Sequence, residues 1–307
     1  MEKVPLQVSA QDTLMMHRFK PATGASGGGA PVILLHGAIE NARIFFSSNG
    51  KGLAPYLAAE GYDVFVVDLR GRGASMPPIG RGSAHGQNET IVVDIPAVSD
   101  EVARLTGDKP QIWGSHSWGG VTMLAALARH PRLRPRVARM VFFSTKRCIH
   151  QFNSEVFWKI RFFWHGLAFL MVRLFGYLPA KRMGMGSDDE TRLSHWESTR
   201  WVRPGPWVDP RDGFDYGAAL DAWPADEKPP MLFLTGAADR CLGHPADVKA
   251  LIQEAGPSQF GFEVLGRFNG NAVDYDHVSI LTHPEAPKDV FAELVRWLRG
   301  SPNGAAS

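Results

Sequence analysis

Several features are scarce in this sequence of 307 residues, and each scarcity excludes a class of protein. Its two cysteines, Cys148 and Cys241, cannot form a disulfide framework and lack the spacing of a metal site. A net charge of +2 gives no electrostatic basis for binding nucleic acid. The first residues lack the apolar region of a signal peptide. The most apolar stretch, residues 156–178, contains three basic residues, so its longest uncharged run is too short to span a bilayer. We therefore expect a cytoplasmic globular protein.

Short apolar runs alternate with helical patterns over most of the chain. Apolar runs bounded by turn residues are typical of strands buried on both faces, and they occur at residues 31–35, 62–67, 110–114, 137–144, 230–235 and 260–265. Helical patterns occur at residues 52–60, 89–105, 121–129, 246–254 and 287–298. Residues 4–19 alternate apolar and polar side chains, which predicts an antiparallel hairpin. The whole pattern predicts an α/β fold with a mostly parallel central sheet and helices on both faces.

The alternation stops after the fourth predicted parallel strand and resumes near residue 230. A break of this size inside a regular sheet indicates an inserted segment. We therefore predict an α/β core formed by residues 1–145 and 229–307, with a mainly helical cap at residues 146–228. A glycine-rich loop at residues 24–29 precedes the first buried strand.

The third buried strand leads into the letters S-H-S-W-G-G at residues 115–120, and a helical run follows. This pattern is typical of a nucleophile elbow, in which a serine lies on a sharp strand-to-helix turn with a strained backbone. Only small residues fit two positions before and after such a serine, and Ser115 and Gly119 fill those places around Ser117. The usual pattern has glycine where Ser115 stands. A serine that merely caps a helix is the alternative explanation.

Four further landmarks each follow a strand: H-G at residues 36–37, D-L-R-G-R-G-A-S at 68–75, G-A-A-D at 236–239 and Y-D-H-V at 275–278. Together with the elbow, and in this order, they resemble the α/β-hydrolase family, and within it the serine esterases and lipases that carry an inserted cap. The resemblance implies the α/β-hydrolase fold. The family's order of nucleophile, acid and histidine implies Ser117, Asp239 and His277 as a catalytic triad.

The chemistry requires these residue types. A serine hydroxyl needs a base to take its proton during attack, and imidazole has a pKa near the working pH. His277 would be this base, and Asp239 would fix its tautomer and stabilise the imidazolium. Asp274 and Asp276 lie nearer to His277 in the sequence and remain alternative acids.

The resemblance also implies two backbone N–H donors for the oxyanion, which map onto Ala38 and Trp118. By the same resemblance, His36 would hold the oxyanion loop. His116 lies beside the nucleophile, and we expect it to make local hydrogen bonds. Many relatives have histidine where Arg72 stands, a departure that the sequence does not explain.

The predicted cap is rich in aromatic residues, with six of the nine tryptophans between residues 146 and 228. Over a serine site, such a cap predicts an apolar pocket. The residues predicted to contact the substrate are Ile39, His116, Trp158, Phe162, Trp164 and Leu242. Apolar residues recur at helical spacing at positions 157, 160, 164, 167, 171 and 175. A lipid interface is a further predicted contact of this surface, with Lys159, Arg161 and Arg173 at its rim.

The predicted function is that of a serine hydrolase that cleaves carboxylic esters of hydrophobic acyl or aromatic substrates through an acyl-enzyme at Ser117. We expect it to need no metal or organic cofactor. Two alternatives stay open: acyl transfer or thioester hydrolysis by the same triad, and a non-catalytic protein that binds a ligand in the same fold. The natural substrate and the oligomeric state are not determined by the sequence.

Overall fold

The computed structural model describes residues 1–22, 24 and 28–300, and its centre is an eight-stranded sheet. Residues 25–27 of the predicted glycine-rich loop lie outside the described residues. The strand order in the sheet is β1-β2-β4-β3-β5-β6-β9-β10. The strands are β1 Glu2–Gln7, β2 Thr13–Phe19, β3 Pro31–Leu35, β4 Asp63–Asp68, β5 Gln111–His116, β6 Val137–Phe143, β9 Met231–Gly236 and β10 Phe260–Leu265, with β7 Tyr177–Leu178 and β8 Glu190–Thr191 forming a separate ribbon.

The mostly parallel sheet is confirmed, as are the six predicted strands and the hairpin, but β10 is an edge strand in which only Leu265 is buried. Strands β1 and β2 pair antiparallel, and β2 pairs antiparallel with β4. All the later pairs in the sheet are parallel. Every residue of β3, β4 and β5 is buried. Because parallel strands end at one edge of a sheet, the loops after β3, β5 and β9 meet there.

Helices cover both faces of the sheet, as predicted. The helices are α1 Leu53–Ala59, α2 Ile95–Thr106, α3 Trp118–Arg129, α4 Ala168–Phe175, α5 Arg192–Trp201, α6 Tyr216–Asp221, α7 Pro245–Ala255 and α8 Ala292–Arg299. Wider π-type helical turns at Thr90–Asp94, Val156–Leu167 and Pro287–Phe291 lead into α2, α4 and α8. Alternate residues of β3 point to two apolar clusters: Ile33 packs with α3 and α7 on one face, and Val32 packs with α1 and α8 on the other.

Between β6 and β9 lies a long inserted segment that contains the ribbon, α5, α6 and a helix of residues 156–175, here called the aromatic helix. Three tryptophans of this segment, Trp201, Trp207 and Trp223, are buried in the core cluster that also contains α3. Half of the tryptophans expected to form a cap therefore stabilise the core instead. The boundaries of the cap, residues 146–228, stay a prediction.

The helical spacing expected in the aromatic helix does not mark one buried face. Ile160 and Met171 are buried, but Phe157, Leu167 and Phe175 are 42%, 38% and 43% exposed. The π-type winding of Val156–Leu167 explains this, because bonds from residue i to i+5 spread a 3.6-residue pattern around the helix axis. Within the described residues, no helix combines the length and apolar character needed to cross a membrane.

Glu197 on α5 is a fully buried carboxylate that joins the inserted segment to the core. Its Oε2 accepts a hydrogen bond from the Gln87 N–H, while its Oε1 has no partner among the described residues. Burial, with the nearby charge of Asp209, raises the pKa of Glu197 from 4.5 to about 7 despite the Gln87 hydrogen bond.

We expect Glu197→Gln to remove part of the pH dependence of stability. The folded state keeps the Glu197 proton up to about pH 7, whereas the unfolded chain loses it near pH 4.5. The contribution of Glu197 to the free energy of unfolding therefore falls as the pH rises from 4.5 to 7. The free energy of unfolding of the glutamine variant, relative to that of the wild type, should therefore be about 1–3 kcal/mol higher at pH 8 than at pH 5. Urea unfolding at the two pH values measures the difference.

Glu227→Gln is the matched control, because Glu227 is exposed and lies in a short helical turn outside the core. If the difference between wild type and Glu197→Gln is the same at both pH values, the carboxyl is not protonated in the folded state.

Candidate active site

Ser117 occupies a strained turn between β5 and α3, with φ of 52° and ψ of −124°. A positive φ is unfavourable for a residue with a side chain. A Cβ on Gly119 would lie 2.6 Å from the carbonyl oxygens of Leu35 and His36, so only glycine fits there. Ser115 is completely buried, which explains the need for a small residue. The Ser117 side chain makes no capping hydrogen bond to α3, so the explanation as a helix cap fails.

His277 and Asp239 are joined by a hydrogen bond of 2.7 Å between Nδ1 and Oδ2. Burial alone would raise the pKa of Asp239, but the hydrogen bond and charge of His277, with N–H groups of the following loop, lower it to about 2. The acid is thus ionised at neutral pH and faces the Nδ1–H of His277. Leu242 donates its N–H to Asp239 Oδ1 at 2.9 Å and orients the carboxylate.

The two alternative acids point elsewhere. Asp274 Oδ1 accepts the Arg267 N–H at 2.8 Å. Asp276 Oδ1 accepts the N–H groups of Val278 and Ser279, at 3.0 and 2.7 Å, and so caps the turn after the histidine. The geometry therefore favours Asp239, while the catalytic role itself stays a prediction.

Ser117 and His277 line the same cavity. Both belong to the described residues, and the structure has no hydrogen bond between the Ser117 hydroxyl and the His277 ring. Catalytic hydrogen bonds of this kind are often long in structures without substrate and tighten in the reactive complex. The structure thus brings the predicted base and nucleophile to one wall, with the acid behind the base.

Ala38 and Trp118, the predicted oxyanion donors, line the same cavity as Ser117. Neither N–H is engaged with another group of the described chain. Gly37 permits this arrangement, because a Cβ there would lie 2.8 Å from the Cβ of Ser117. Two free N–H groups beside a nucleophile have the arrangement required for stabilising a tetrahedral oxyanion.

His36 connects the oxyanion loop to the core. Its Nδ1 contacts the Gly37 carbonyl at 2.9 Å, and its Nε2 accepts the Leu69 N–H at 3.1 Å, so the ring is neutral. Burial, aided by the charge of Arg72, lowers the pKa of His36, which agrees with this state. Its position is the one expected for a residue that holds the loop.

The inserted segment also holds the oxyanion loop. Ile39 has a positive φ of 51°, and its carbonyl accepts the Asp188 N–H at 3.1 Å while its N–H donates to Glu190 Oε2 at 3.4 Å. Arg72 forms a buried ion pair with Glu190. This ion pair accounts for an arginine at position 72, where many relatives have histidine.

His116 and Glu40 form a pair that was not predicted from the sequence, in which the His116 ring is buried and the Glu40 side chain is 14% exposed. His116 Nδ1 lies 2.8 Å from Glu40 Oε2, and His116 Nε2 lies 2.8 Å from the His277 carbonyl oxygen. A carboxylate and a carbonyl both accept, so both ring nitrogens must donate and His116 is an imidazolium. Glu40 Oε2 also accepts the Gly37 N–H at 2.8 Å. The pair therefore connects the oxyanion loop, the elbow and the histidine loop.

The pKa shifts agree with an ion pair. Burial lowers the pKa of His116, but the charge and hydrogen bond of Glu40 more than reverse this and raise it above its ordinary value. Burial raises the pKa of Glu40, but the charge and hydrogen bond of His116, with the Gly37 N–H, lower it to about 2. No local signal in the sequence could pair these residues, since they are 76 positions apart.

Glu40, His116 and His277 each place one candidate ligand atom within 4.8 Å of the others, the spacing that a metal ion needs. The donor set does not suit a metal, because a ligating imidazole needs a free lone pair. Both nitrogens of His116 are hydrogen-bond donors here, so this ring has no lone pair for a metal, and of the three groups only His277 Nε2 and the Glu40 carboxylate could ligate one. The cluster is better explained as a hydrogen-bond network.

The cavity has a volume of about 690 Å³ and is lined mostly by apolar side chains. Four of the residues predicted to contact the substrate line it: Ile39, Trp158, Trp164 and Leu242. Phe162 and His116 do not line the cavity. Phe162 lies in the π-type part of the aromatic helix and is 55% exposed, and the His116 ring is completely buried.

Lys146 is a polar residue of the cavity wall that the sequence analysis did not single out. It is 6% exposed, and no carboxylate of the described residues lies within an ion-pair distance of its ammonium group. Burial lowers the pKa of Lys146. Its ammonium nitrogen lies 5.9 Å from the centre of the Trp118 ring, so the cavity wall contains a cationic donor near the elbow.

A family model for the alpha/beta hydrolase fold matches residues 30–195. No curated protein matches the chain by sequence. Among solved structures, a soluble variant of monoglyceride lipase from Saccharomyces cerevisiae, in complex with a substrate analog, is similar with a TM-score of 0.64 and 15% identity, over 96% of each chain.

Two other similar structures are an esterase domain from a Rhodothermus marinus protein and a thioesterase domain from the curacin biosynthetic pathway. The esterase domain has a TM-score of 0.57 and 15% identity, over 97% of each chain. The thioesterase domain has a TM-score of 0.58 and 15% identity, over 96% of this chain and 99% of its own. At such identities these likenesses show the fold alone.

We expect Glu40→Gln to lower kcat/KM by about 10²-fold at pH 8, because the three loops lose their ionic contact and the site is misaligned. Without the carboxylate, the pKa of His116 should fall, and a neutral ring cannot donate to both neighbours. The loss should therefore grow as pH rises from 5 to 8. A pH profile of kcat/KM on a soluble ester measures it.

Glu101→Gln is a matched control on the surface of α2. A ratio of wild-type to Glu40→Gln activity that does not change with pH would show that His116 is not held as an imidazolium by Glu40.

Proposed function

The chain belongs to the α/β-hydrolase family, and on that premise we propose that it hydrolyses carboxylic esters through an acyl-enzyme formed at Ser117. The observation that carries the proposal is the arrangement of the strained Ser117, the His277–Asp239 pair and two free N–H groups around one apolar cavity. Each group has a separate role in acyl transfer, and a ligand-binding protein would need none of these roles.

In the first half-reaction, Ser117 Oγ attacks the ester carbonyl carbon while His277 Nε2 takes the hydroxyl proton. The carbonyl oxygen becomes an oxyanion between the N–H groups of Ala38 and Trp118. The C–O bond to the alcohol then breaks, and His277 returns the proton to the leaving oxygen. Asp239 remains a carboxylate throughout and stabilises the imidazolium.

In the second half-reaction, water attacks the acyl-enzyme and gives its proton to His277. The tetrahedral intermediate collapses to release the acid, and the proton returns to Ser117 Oγ. The sum is ester plus water giving acid plus alcohol, and none of these steps requires more than the side chains and N–H groups named here.

The cavity supports an apolar substrate. A volume of about 690 Å³ falls within the usual range for a small-molecule pocket. Trp158, Trp164 and Leu242 supply apolar surface, which favours an aliphatic acyl chain or an aromatic group over a sugar. The likeness to a lipase and an esterase is consistent with this class of substrate.

Thioester hydrolysis is the second candidate, because the same acyl-enzyme forms from a thioester and because a thioesterase domain is among the similar structures. The cavity accommodates the acyl group in either case. The difference lies in the leaving group, which an assay with matched oxygen and sulfur esters distinguishes.

We expect Ser117→Ala to reduce ester hydrolysis by about 10⁴-fold or more, because no other group can form the acyl-enzyme. Release of p-nitrophenol from a short-chain ester measures the rate. Ser115→Ala is the matched control, since its hydroxyl only contacts the Val141 carbonyl behind the turn. Activity retained by Ser117→Ala would reject Ser117 as the nucleophile.

We also expect kcat/KM to rise about 2- to 4-fold for each CH₂ added to the acyl chain, until the cavity is filled. Trp164→Ala should flatten this rise, because Trp164 lines the cavity. Phe162→Ala, on the same helix but outside the cavity, should leave it unchanged. A series of p-nitrophenyl esters and matched thioesters provides the test, and the highest kcat/KM for acetate would contradict the apolar cavity.

A further inference from the structure

The outer face of the aromatic helix exposes more apolar surface than folding requires. Of the 15 large hydrophobic side chains that are exposed in the described residues, 8 lie on this helix. They are Phe157, Trp158, Phe162, Leu167, Phe169, Leu170, Leu174 and Phe175. Its inner side is apolar as well, since Ile160, Phe163 and Trp164 line the cavity. A surface helix normally has one polar face, so an apolar face of this size marks a site of contact.

Basic side chains surround this face. A groove of about 630 Å³ lies between the aromatic helix, residues 81–84 and the start of α5, and it is lined by Arg81, Arg173 and Arg192. All three are exposed, and within the described part of the chain none has a carboxylate at ion-pair distance. Arg161 is also exposed on the helix. Such a groove has the charge and donors to bind phosphate groups.

The acidic side chains nearby do not offset this charge. Glu155 is paired with Lys159 at 2.6 Å. Asp188 and Glu190 are buried, where they bind the oxyanion loop and Arg72. The outer face is therefore both apolar and cationic.

We propose that the outer face of the aromatic helix docks on an anionic phospholipid bilayer. The apolar side chains enter the boundary between headgroups and acyl chains, as in helices that lie in a membrane interface. The arginine groove binds the phosphate groups of the headgroups.

The charge argues against a second copy of this chain as the occupant. An isologous contact would place the same arginines from both copies around one buried patch, where like charges would repel. Anionic lipid has the complementary charge, and a bilayer also covers apolar side chains that are distributed along the whole helix.

The surface adjoins the cavity. Trp158 is 59% exposed and also lines the cavity wall, so one residue belongs to both surfaces. Docking itself does not require hydrolysis, and binding is measured without turnover.

The test is co-sedimentation of the full chain with vesicles of phosphatidylcholine, with and without about a third phosphatidylglycerol. We expect binding to the anionic vesicles that weakens as salt is added. The double variant Leu170→Ser and Leu174→Ser removes two side chains that are 51% and 60% exposed, and it should weaken binding by about 10-fold or more. Phe260→Ser is its matched control, because Phe260 is 52% exposed at the start of the edge strand β10, outside the aromatic helix.

The charge is tested separately. Arg173→Ala and Arg192→Ala should each weaken binding to the anionic vesicles about 5-fold. Arg104→Ala is the control, because it removes the same charge from an exposed position on α2. Soluble-ester hydrolysis should be unchanged in all these variants, because the residues lie outside the cavity. Urea unfolding shows that the variants are folded, whether or not the protein hydrolyses esters.

The proposal is overturned if wild-type protein does not sediment with the anionic vesicles. It is also overturned if the leucine and arginine variants bind as the wild type does. A dimer in light scattering that is lost in the leucine variant, without vesicle binding, would assign the surface to a second copy instead. None of these outcomes depends on whether the protein hydrolyses esters.

Discussion

The backbone turn at Ser117 is the constraint on which the rest of the site depends. A residue at a φ of 52° keeps that conformation only when the surrounding chain packs closely around it. Gly37 and Gly119 allow this, because a Cβ at either position would clash with the elbow or with the end of β3. Gly236 does the same near the acid, since its Cβ would lie 2.1 Å from the Tyr275 carbonyl oxygen. Close backbone approach at three strand ends therefore brings the nucleophile, the oxyanion loop and the histidine loop together.

Buried charges fix the orientation of these loops once they have met. The pair of His116 and Glu40 contacts all three loops, and the pair of Arg72 and Glu190 ties the oxyanion loop to the inserted segment. Removing one partner of such a pair would leave an uncompensated charge in the interior, which is costly. The inserted segment thus holds the oxyanion loop in place and also forms a wall of the cavity.

The sequence contained the information that is local in the chain. The apolar runs predicted the strands, and the small residues around Ser117 predicted the turn, because both depend on the nearest neighbours. The pairing of His277 with Asp239 came from a resemblance, since spacing alone left Asp274 and Asp276 open. Glu40 could not be predicted, because its role depends on a loop that meets the elbow only in the folded sheet. The outward position of Phe162 and the burial of Trp201 in the core were missed for the same reason: each follows from how helices wind and pack, which a count of aromatic residues does not contain.

Two kinds of force act on the two sides of the cavity. The oxyanion loop is held by directional hydrogen bonds that Gly37, Ile39 and Asn41 donate to carboxylates. The aromatic helix is held mainly by apolar packing, in which Ala168, Met171 and Val172 contact Leu178 and Ala180. Apolar packing is non-directional and tolerates changes of shape at constant volume, whereas the oxyanion geometry tolerates little displacement. The apolar wall of the cavity can therefore vary in shape while Ser117, His277 and the oxyanion loop stay in place.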